Sequence, residues 1–328
     1  MPALITTHGP LLESQVGMIL PHEHVFVDLR TPEMPGHAQA DPAAVAALMG
    51  KELETARRAG ISVIVECTPV GVGRRVDILQ QVAAAANFPL IVPTGVYRQP
   101  WVPEWVRAAS ETELTGWMRR ELEEGIEGSG VRAGFIKLSA GDDGLTEVEA
   151  CILGAAGRAS AAGRASAAGS ASAAGRASAA GRGSAAWAAI GSHTIRGRVV
   201  SDQLAVLAEC GFPAERFIWI HAQVEADFRW NLELAGRGVW IELDGIGSDN
   251  TDAFYIERIQ RLRAEGLQDR ILLSQDRGWF DPAQPGGGTP KPYTYLVERF
   301  LPQLAQNGFS PEDIWAMVHT NPFRAFAR

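Results

Sequence analysis

The chain has 328 residues, of which 46% are apolar and 21% charged, a composition that is typical of a globular protein and excludes a wholly disordered chain. The formal net charge is −8 and there is no run of lysines or arginines, so we do not expect nucleic acid among its partners. Three widely separated cysteines favour neither a disulfide framework nor a zinc knuckle.

The N-terminal segment contains neither a basic stretch nor a continuous apolar stretch, so it does not have the pattern of a signal peptide. A run of about 18 apolar residues, the length needed to cross a bilayer, occurs nowhere in the sequence. We therefore expect a cytoplasmic protein that acts away from membranes.

Short runs rich in β-branched residues recur along the chain, and most are followed by a stretch with helical periodicity. The strand candidates are residues 17–27, 61–68, 89–97, 133–140, 188–194, 217–222, 239–246 and 271–276. Nearly continuous apolar strands that alternate with helices indicate a parallel sheet buried on both faces. Eight such units predict an α/β fold, a single (β/α)8 TIM barrel over residues 1–328, with a doubly wound open sheet as the alternative.

The helix after the first strand has the clearest boundaries. Asp41 and Pro42 are typical of an N-cap and first turn, and Gly60 is typical of a helix end. Apolar side chains recur between them at helical spacing: Val45, Leu48, Met49, Leu53 and Ala56. Similar patterns predict helices near residues 74–86, 111–127, 201–210, 252–265 and 292–306.

Residues 157–186 interrupt this alternation with five near-copies of a hexapeptide made of alanine, glycine, serine and arginine. At about 100° per residue, successive copies do not present one face of a helix, and each glycine costs about 1 kcal/mol relative to alanine. We expect a low-complexity insertion between strands four and five, on the outer wall of the barrel, partly helical and poorly ordered. An interaction arm is the alternative.

Six polar residues fall at or near the ends of the predicted strands. They are His22 and His24 in the first strand, Lys137 in the fourth, His193 in the fifth, His221 in the sixth and Asp276 in the eighth. A barrel gathers the carboxyl ends of its strands into one bowl, where its active sites lie. Each residue alone has a structural explanation, but together they would leave many unsatisfied polar groups in the core, which a metal centre would satisfy. Imidazole and carboxylate ligands suit zinc, manganese, iron or cobalt.

These motifs together resemble the metal site of the phosphotriesterase family, within the amidohydrolase superfamily. The shared pattern is a His-x-His pair that ends strand one, a lysine in strand four, single histidines that end strands five and six, and an aspartate that ends strand eight. The resemblance extends from residue 17 to residue 326, apart from the hexapeptide repeat.

The resemblance implies a carbamate at Lys137, formed when its amine reacts with carbon dioxide, whose two oxygens bridge two metal ions. This suits a buried lysine, because desolvation favours the neutral amine that attacks carbon dioxide. By the same resemblance, His22, His24 and Asp276 would bind one ion, and His193 and His221 the other. Zinc is the favoured metal.

The implied activity is that of a binuclear metal-dependent hydrolase in which a hydroxide between the two ions attacks an ester. Asp276 would act as both ligand and proton acceptor. A carboxylic ester, and within that class a lactone, is the favoured substrate, with phosphotriesters as a second class. The resemblance also implies a homodimer.

Three residues are candidates for the substrate pocket. Tyr97, at the end of strand three, would donate a hydrogen bond to a substrate oxygen, as in lactonases that resemble this family. Trp279 and Phe280 lie in a long segment after strand eight whose three consecutive glycines indicate a mobile specificity loop, and we expect them to line an apolar pocket. For each of the three, simple packing is the alternative.

The sequence departs from the familiar pattern beside two of the ligands. Gln275 stands where many relatives have histidine before the final aspartate, and Arg277 follows it. Glu225 and Asp227 follow strand six without an assigned role. Two other functions therefore stay open: a barrel without catalytic activity whose repeat mediates association, and a mononuclear metal hydrolase or deaminase in which the lysine is unmodified.

Overall fold

Strands and helices alternate along most of the chain in a computed structural model, which describes residues 1–161, 187–248 and 250–328. The strands are β1 Leu4–Thr6, β2 Gly9–Leu11, β3 Met18–Phe26, β4 Ile61–Glu66, β5 Leu90–Ile91, β6 Pro93–Thr94, β7 Phe135–Ser139, β8 Ile190–His193, β9 Phe217–Ile220, β10 Trp240–Leu243, β11 Ile271–Leu273 and β12 Gly278–Phe280. The helices are α1 Pro42–Arg58, α2 Val76–Ala86, α3 Glu104–Ala108, α4 Glu111–Glu123, α5 Glu147–Ser160, α6 Gly197–Ala208, α7 Arg229–Gly236, α8 Asp252–Ala264, α9 Leu301–Gln306, α10 Pro311–Trp315 and α11 Asn321–Phe326.

The strands from β3 to β11 form a closed parallel barrel. One run of neighbours leads from β6 to β11 in chain order, and a second leads from β5 through β4 to β3 and β12. The two runs meet within residues 90–94, and on the other side the Asp276 amide donates to the His22 carbonyl oxygen at 3.3 Å. The predicted TIM barrel is therefore confirmed, and the open sheet is excluded.

The third barrel strand is divided into β5 and β6, whereas the sequence predicts one strand over residues 89–97. β5 pairs with β4, and β6 pairs with β7. Pro93 has no amide hydrogen to donate, so the ladder with β4 cannot continue through it. The Val92 carbonyl oxygen accepts instead from the Gly134 amide, at 2.9 Å. The break transfers the pairing from one neighbour to the other.

Helix α1 begins where the sequence predicts. An oxygen of Asp41 accepts from the Ala43 amide at 3.0 Å, and Pro42 is the first helical residue. The predicted apolar face packs inward, except that Leu48 is only partly buried. Other elements carry no clear signal in the sequence and were not predicted: the hairpin β1–β2, helix α7 and strand β12.

The beginning of the hexapeptide repeat belongs to helix α5. Residues 157–160 form its last turn, and Ser160 donates to the Ala188 carbonyl oxygen at 2.5 Å, next to strand β8. A β-carbon on Gly157 would approach Cys210 Sγ to 2.4 Å, so the small residue permits close contact with the end of α6. The remaining copies, residues 162–186, lie outside the described residues.

The barrel interior is apolar towards the amino ends of its strands and polar at their carboxyl ends. Its apolar residues include Ile19, Val63, Phe135, Ile218 and Leu272, and the side chains of Leu4 and Phe326 join this cluster. Side chains two apart on a strand point the same way, so Lys137 lies one layer above Phe135. Among the described residues, no helix is both long enough and apolar enough to cross a bilayer.

Candidate metal centre

The four histidines that the sequence places at strand ends lie side by side at the carboxyl mouth of the barrel. The ring centroid of His22 is 5.4 Å from that of His24 and 5.1 Å from that of His221. The ring of His221 is in turn 4.3 Å from that of His193. Residues in β3, in β8 and directly after β9 are thus brought into one site.

Asp276 completes a group that could chelate an ion. Its Oδ1 lies 3.2 Å from His24 Nε2 and 3.9 Å from His22 Nε2, and one donor atom from each of the three residues lies within 4.8 Å of the others. Burial alone would raise the pKa of Asp276, but its hydrogen bond to His24 and the nearby histidines hold it well below the usual range. The carboxylate is therefore ionised, as a metal ligand must be.

A second close group consists of His22, His221 and Asp244, but its geometry is that of hydrogen bonding. Asp244 Oδ1 is 2.7 Å from His221 Nδ1, and Asp244 Oδ2 is 3.5 Å from His22 Nδ1. Asp244 also accepts from the His221 amide at 2.9 Å and from Gln223 Nε2 at 2.6 Å. Asp244 therefore orients His221, a role that the sequence did not reveal.

Two other histidines also have a partner at Nδ1. His22 Nδ1 is 2.7 Å from Glu242 Oε1, and His24 Nδ1 is 2.7 Å from the hydroxyl of Thr68. A partner that holds one ring nitrogen fixes the tautomer and the orientation of the ring, which leaves the other nitrogen for a metal. The partners come from other strands, so this pattern depends on the register of the barrel.

Two of the histidines, His22 and His193, are in the neutral form that a metal ligand needs. The protonation of His24 depends on Asp276. Burial holds the pKa of His22 and that of His193 well below the usual value, so both rings are neutral. Burial also acts to lower the pKa of His24, but hydrogen bonds to Asp276 and Glu66 outweigh it and raise the pKa to about 9. An ion bound at Asp276 would have to displace the proton of His24, and the resulting set of neutral imidazoles with one carboxylate fits zinc, manganese, cobalt or iron.

Lys137 lies inside the barrel with 2% of its surface exposed. Burial lowers its pKa, although the acidic groups around it, Cys67 and Glu242 first among them, act in the opposite direction. Among the described residues its side chain makes no hydrogen bond or ion pair, and its Nζ is 5.8 Å from the centre of the Tyr97 ring. This environment favours the neutral amine, the form that reacts with carbon dioxide.

Two further buried carboxylates hold the backbone beside the candidate ligands. Glu23 accepts from the Arg277 amide at 2.6 Å, the Ser274 hydroxyl at 2.8 Å and the Gln275 amide at 3.2 Å, so it holds both sides of Asp276. Burial outweighs these hydrogen bonds and raises the pKa of Glu23 to about 8. In the sequence, Glu23 is no more than the spacer of the His-x-His pair.

Glu66 is the second of these carboxylates, and it holds the backbone next to His24. It accepts from the Val25 amide at 2.5 Å and from the Thr68 amide at 3.0 Å, so it ties the end of β3 to the end of β4. The backbone of His24 and the hydroxyl that contacts its ring are therefore placed by one buried side chain.

The residues beside Asp276 have structural contacts. The side-chain Nε2 of Gln275 donates to the Tyr293 carbonyl oxygen at 2.7 Å, and its side-chain oxygen accepts from the Leu296 amide at 2.8 Å. These two bonds anchor the segment that follows β11. The guanidinium of Arg277 donates to the Gly247 carbonyl oxygen and lies over the ring of Tyr295.

The acidic residues that follow β9, Glu225 and Asp227, also stabilise local structure. Glu225 accepts from the Gly197 amide at 2.8 Å, at the first residue of α6, and from the Asp227 amide at 2.9 Å. Asp227 pairs with the exposed side chain of Arg229 at 2.6 Å. Neither contact involves a candidate ligand.

Two of the three predicted substrate residues lie at the centre. The hydroxyl of Tyr97, which is partly buried, is 3.2 Å from His193 Nδ1. The ring of Trp279 is 5.1 Å from that of His24, and its Nε1 donates to the Asp276 carbonyl oxygen at 3.1 Å.

Phe280 does not line the predicted pocket. It belongs to strand β12, is only 5% exposed and stacks on Phe26 at 5.8 Å. Adjacent residues on a strand point to opposite sides, so Phe280 faces the core when Trp279 faces the site. Part of the segment expected to be a specificity loop is therefore a strand paired with β3.

Comparisons with known proteins agree with this geometry. The model of the phosphotriesterase family matches residues 2–326. A phosphotriesterase homology protein of Mycobacterium tuberculosis is 27% identical, over 100% of this chain and 98% of that protein. An aryldialkylphosphatase of Saccharolobus solfataricus is 24% identical, over 95% of each chain. Among solved structures, a variant of the PTE-like lactonase of Deinococcus radiodurans has a TM-score of 0.81 and 27% identity, over 98% of this chain and 99% of that one.

Proposed function

The chain belongs to the phosphotriesterase family and is a hydrolase that acts on ester bonds, and from this premise we propose that it is a binuclear metal enzyme that opens lactones. The observation that carries the proposal is the triad of His22, His24 and Asp276, whose donor atoms lie within 4.8 Å of one another. The adjacent rings of His193 and His221 extend this group towards a second ion.

The residues divide into two ligand sets. His22, His24 and Asp276 would hold one ion, His193 and His221 would hold the other, and Lys137, carboxylated on its amine, would join the two. Two divalent ions, with zinc favoured, would polarise the ester oxygen and lower the pKa of a bound water to about 7. The buried amine of Lys137, which has no hydrogen-bond partner within the described ranges, supports the carboxylation, because a lowered pKa favours the neutral form that reacts with carbon dioxide.

Protein side chains would move the protons and orient the ester. Asp276 is ionised by its histidine neighbours and is the proton acceptor in this proposal. Burial raises the pKa of Tyr97 to about 12, so its phenol stays protonated and can donate a hydrogen bond to a substrate oxygen. Trp279, whose ring lies 5.1 Å from that of His24, would contact the apolar part of the substrate.

The choice of a lactone rests on the similarity to a lactonase. The PTE-like lactonase of Deinococcus radiodurans shares the fold over nearly the whole chain. The similarity to an aryldialkylphosphatase supports phosphotriesters as a second substrate class, because a phosphoryl oxygen can take the place of the ester carbonyl.

A substrate panel tests the proposal. The chain, loaded with zinc in the presence of bicarbonate, is assayed against lactones of increasing chain length and against aryl dialkyl phosphates. We expect the highest kcat/KM with a lactone and none above background in Asp276→Ala. A wild-type protein with two bound ions and no activity on either class would refute the proposed function.

A further inference from the structure

A buried carboxylate beside the centre lies outside the six candidate ligands. Glu242, in strand β10, has 0% of its surface exposed, and its Oε1 is 2.7 Å from His22 Nδ1. β10 pairs with β9 and β11, whereas His22 lies on β3, so the contact spans the barrel interior. Nothing in the sequence pattern pairs these two residues, which are 220 positions apart.

Glu242 and Asp244 have parallel positions but different surroundings. They are two residues apart, and each carboxylate contacts Nδ1 of one histidine, Glu242 that of His22 and Asp244 that of His221. Asp244 also accepts from a backbone amide and from a side-chain amide. Among the described residues, Glu242 Oε2 accepts no hydrogen bond from a donor group. Burial and the adjacent Asp244 carboxylate raise the pKa of Glu242 well above its usual value.

This difference separates a stabilising contact from a functional one. A buried polar atom without a partner destabilises the folded protein, so Glu242 is a poor choice for stability alone. It forms no ion pair with Lys137 within the described residues. Its one hydrogen bond goes to a ring whose other nitrogen, Nε2, faces Asp276 at 3.9 Å.

We propose that Glu242 is a positioning residue that fixes the tautomer and orientation of His22, so that Nε2 is presented to the ion held with His24 and Asp276. The proposal rests on the metal site of the proposed function but not on its substrate. A Glu242 oxygen that accepts from Nδ1–H keeps the lone pair on Nε2 for the ion, and both the carboxylate and the protonated carboxyl group offer such an oxygen. Asp244 would act in the same way on the ion at His221.

The test compares metal affinities in the purified full-length chain. Zinc is titrated into metal-free wild type, Glu242→Gln and Glu242→Ala in competition with a chromophoric chelator, with bicarbonate present. We expect the alanine variant to bind one of the two ions about 10–100-fold more weakly and the other ion unchanged. Glutamine keeps an acceptor of the same size, so its loss should be smaller.

Glu121→Gln is the matched control. Glu121 is also a buried glutamate, but it pairs with Arg74 at 2.6 Å on the outside of the barrel. We expect this variant to lower the melting temperature and to leave both zinc affinities unchanged. A stability effect is thereby separated from an effect on the ion.

A second readout follows the ring directly. In nitrogen-15 spectra of histidine-labelled protein with zinc bound, we expect His22 to be the Nδ1–H tautomer in the wild type and a mixture in Glu242→Ala. Unchanged zinc affinities in Glu242→Ala, or equal weakening of both ions, would overturn the proposal. A wild type that binds two ions but hydrolyses no ester would refute the substrate and leave the role of Glu242 standing.

Discussion

The two sides of the candidate centre are held in different ways. On one side, which we call the anchored side, His22, His24 and Asp276 are each fixed by buried partners: Glu242, Thr68 and the backbone contacts of Glu23. On the other, the lysine side, Asp244 holds His221. Within the described residues the side chain of Lys137 makes no hydrogen bond there, and the ring nitrogens of His193 contact only the hydroxyl of Tyr97.

This difference indicates the order in which the centre forms. The candidate ligands of the anchored side are already held close together by their partners, so little conformational entropy would be lost if an ion bound there. On the lysine side, burial lowers the pKa of Lys137, and within the described residues its amine has no hydrogen-bond partner. In the proposed centre this amine would become a ligand only after it reacts with carbon dioxide. We therefore expect the first ion to bind tightly on the anchored side and the second to require carboxylation of Lys137.

The largest effect is expected from Asp276→Asn, which removes the anionic ligand of the anchored side. Loss of several kcal/mol of transition-state stabilisation corresponds to a fall in kcat/KM of about 10³-fold or more. The assay is lactone hydrolysis at saturating zinc, with removal of metal by a chelator as the parallel experiment. Retention of more than a tenth of the activity would mean that the anchored side is not the reacting site.

The next largest effect concerns the lysine side alone. When metal-free wild type is reconstituted with zinc, bicarbonate should be needed for full activity, because it supplies the carbon dioxide that modifies Lys137. Lys137→Met, which keeps the length and removes the amine, should have low activity that bicarbonate does not change. Wild type that recovers equally well without any carbon dioxide would contradict the proposed carbamate.

Asp244→Asn should have an intermediate effect, because the partner of one histidine weakens while the ligands remain. Removal of such a partner lowers metal affinity by about 10–100-fold. Competition titration with zinc should show this loss for the ion at His221 and not for the ion at His22. Equal loss at both would indicate that Asp244, which lies 3.5 Å from His22 Nδ1, supports the two rings together.

The six candidate ligands could be found in the sequence because polar residues are conspicuous in apolar strands. Their partners could not, since Glu242, Asp244 and Thr68 are recognisable only when the register between distant strands is known. Glu23 was visible within the His-x-His motif, but alternation along a strand turns it away from its neighbours and towards strand eight. Such cross-strand contacts are properties of the closed barrel.

The same limit applies to the fold. The eight strands and the first helix follow from periodicity and capping, as Asp41 demonstrates. The position of Phe280 does not follow from the sequence, because an aromatic residue after β11 suits a pocket and a core equally well. The pairing of β12 with β3 places it in the core. The last turn of α5 was hidden because its residues have the composition of the repeat.

The smallest effect is expected from Thr68→Val, which removes the hydroxyl 2.7 Å from His24 Nδ1 and keeps the side-chain shape. A neutral hydrogen bond is worth about 1 kcal/mol, so zinc affinity on the anchored side should fall about 5-fold. Ser139→Ala is a control on the lysine side, because that hydroxyl donates to the His193 backbone at 3.1 Å. Its zinc affinity on the anchored side should not change.

The most direct test of the binuclear centre is the number of transition-metal ions per chain in protein purified without chelators, measured alongside Lys137→Ala. We predict two ions per chain in the wild type and a sharp fall in the variant, with the remaining ion on the anchored side. One ion or none in the wild type, even after zinc and bicarbonate are added, would contradict the binuclear account and favour a mononuclear hydrolase or a barrel without catalytic activity.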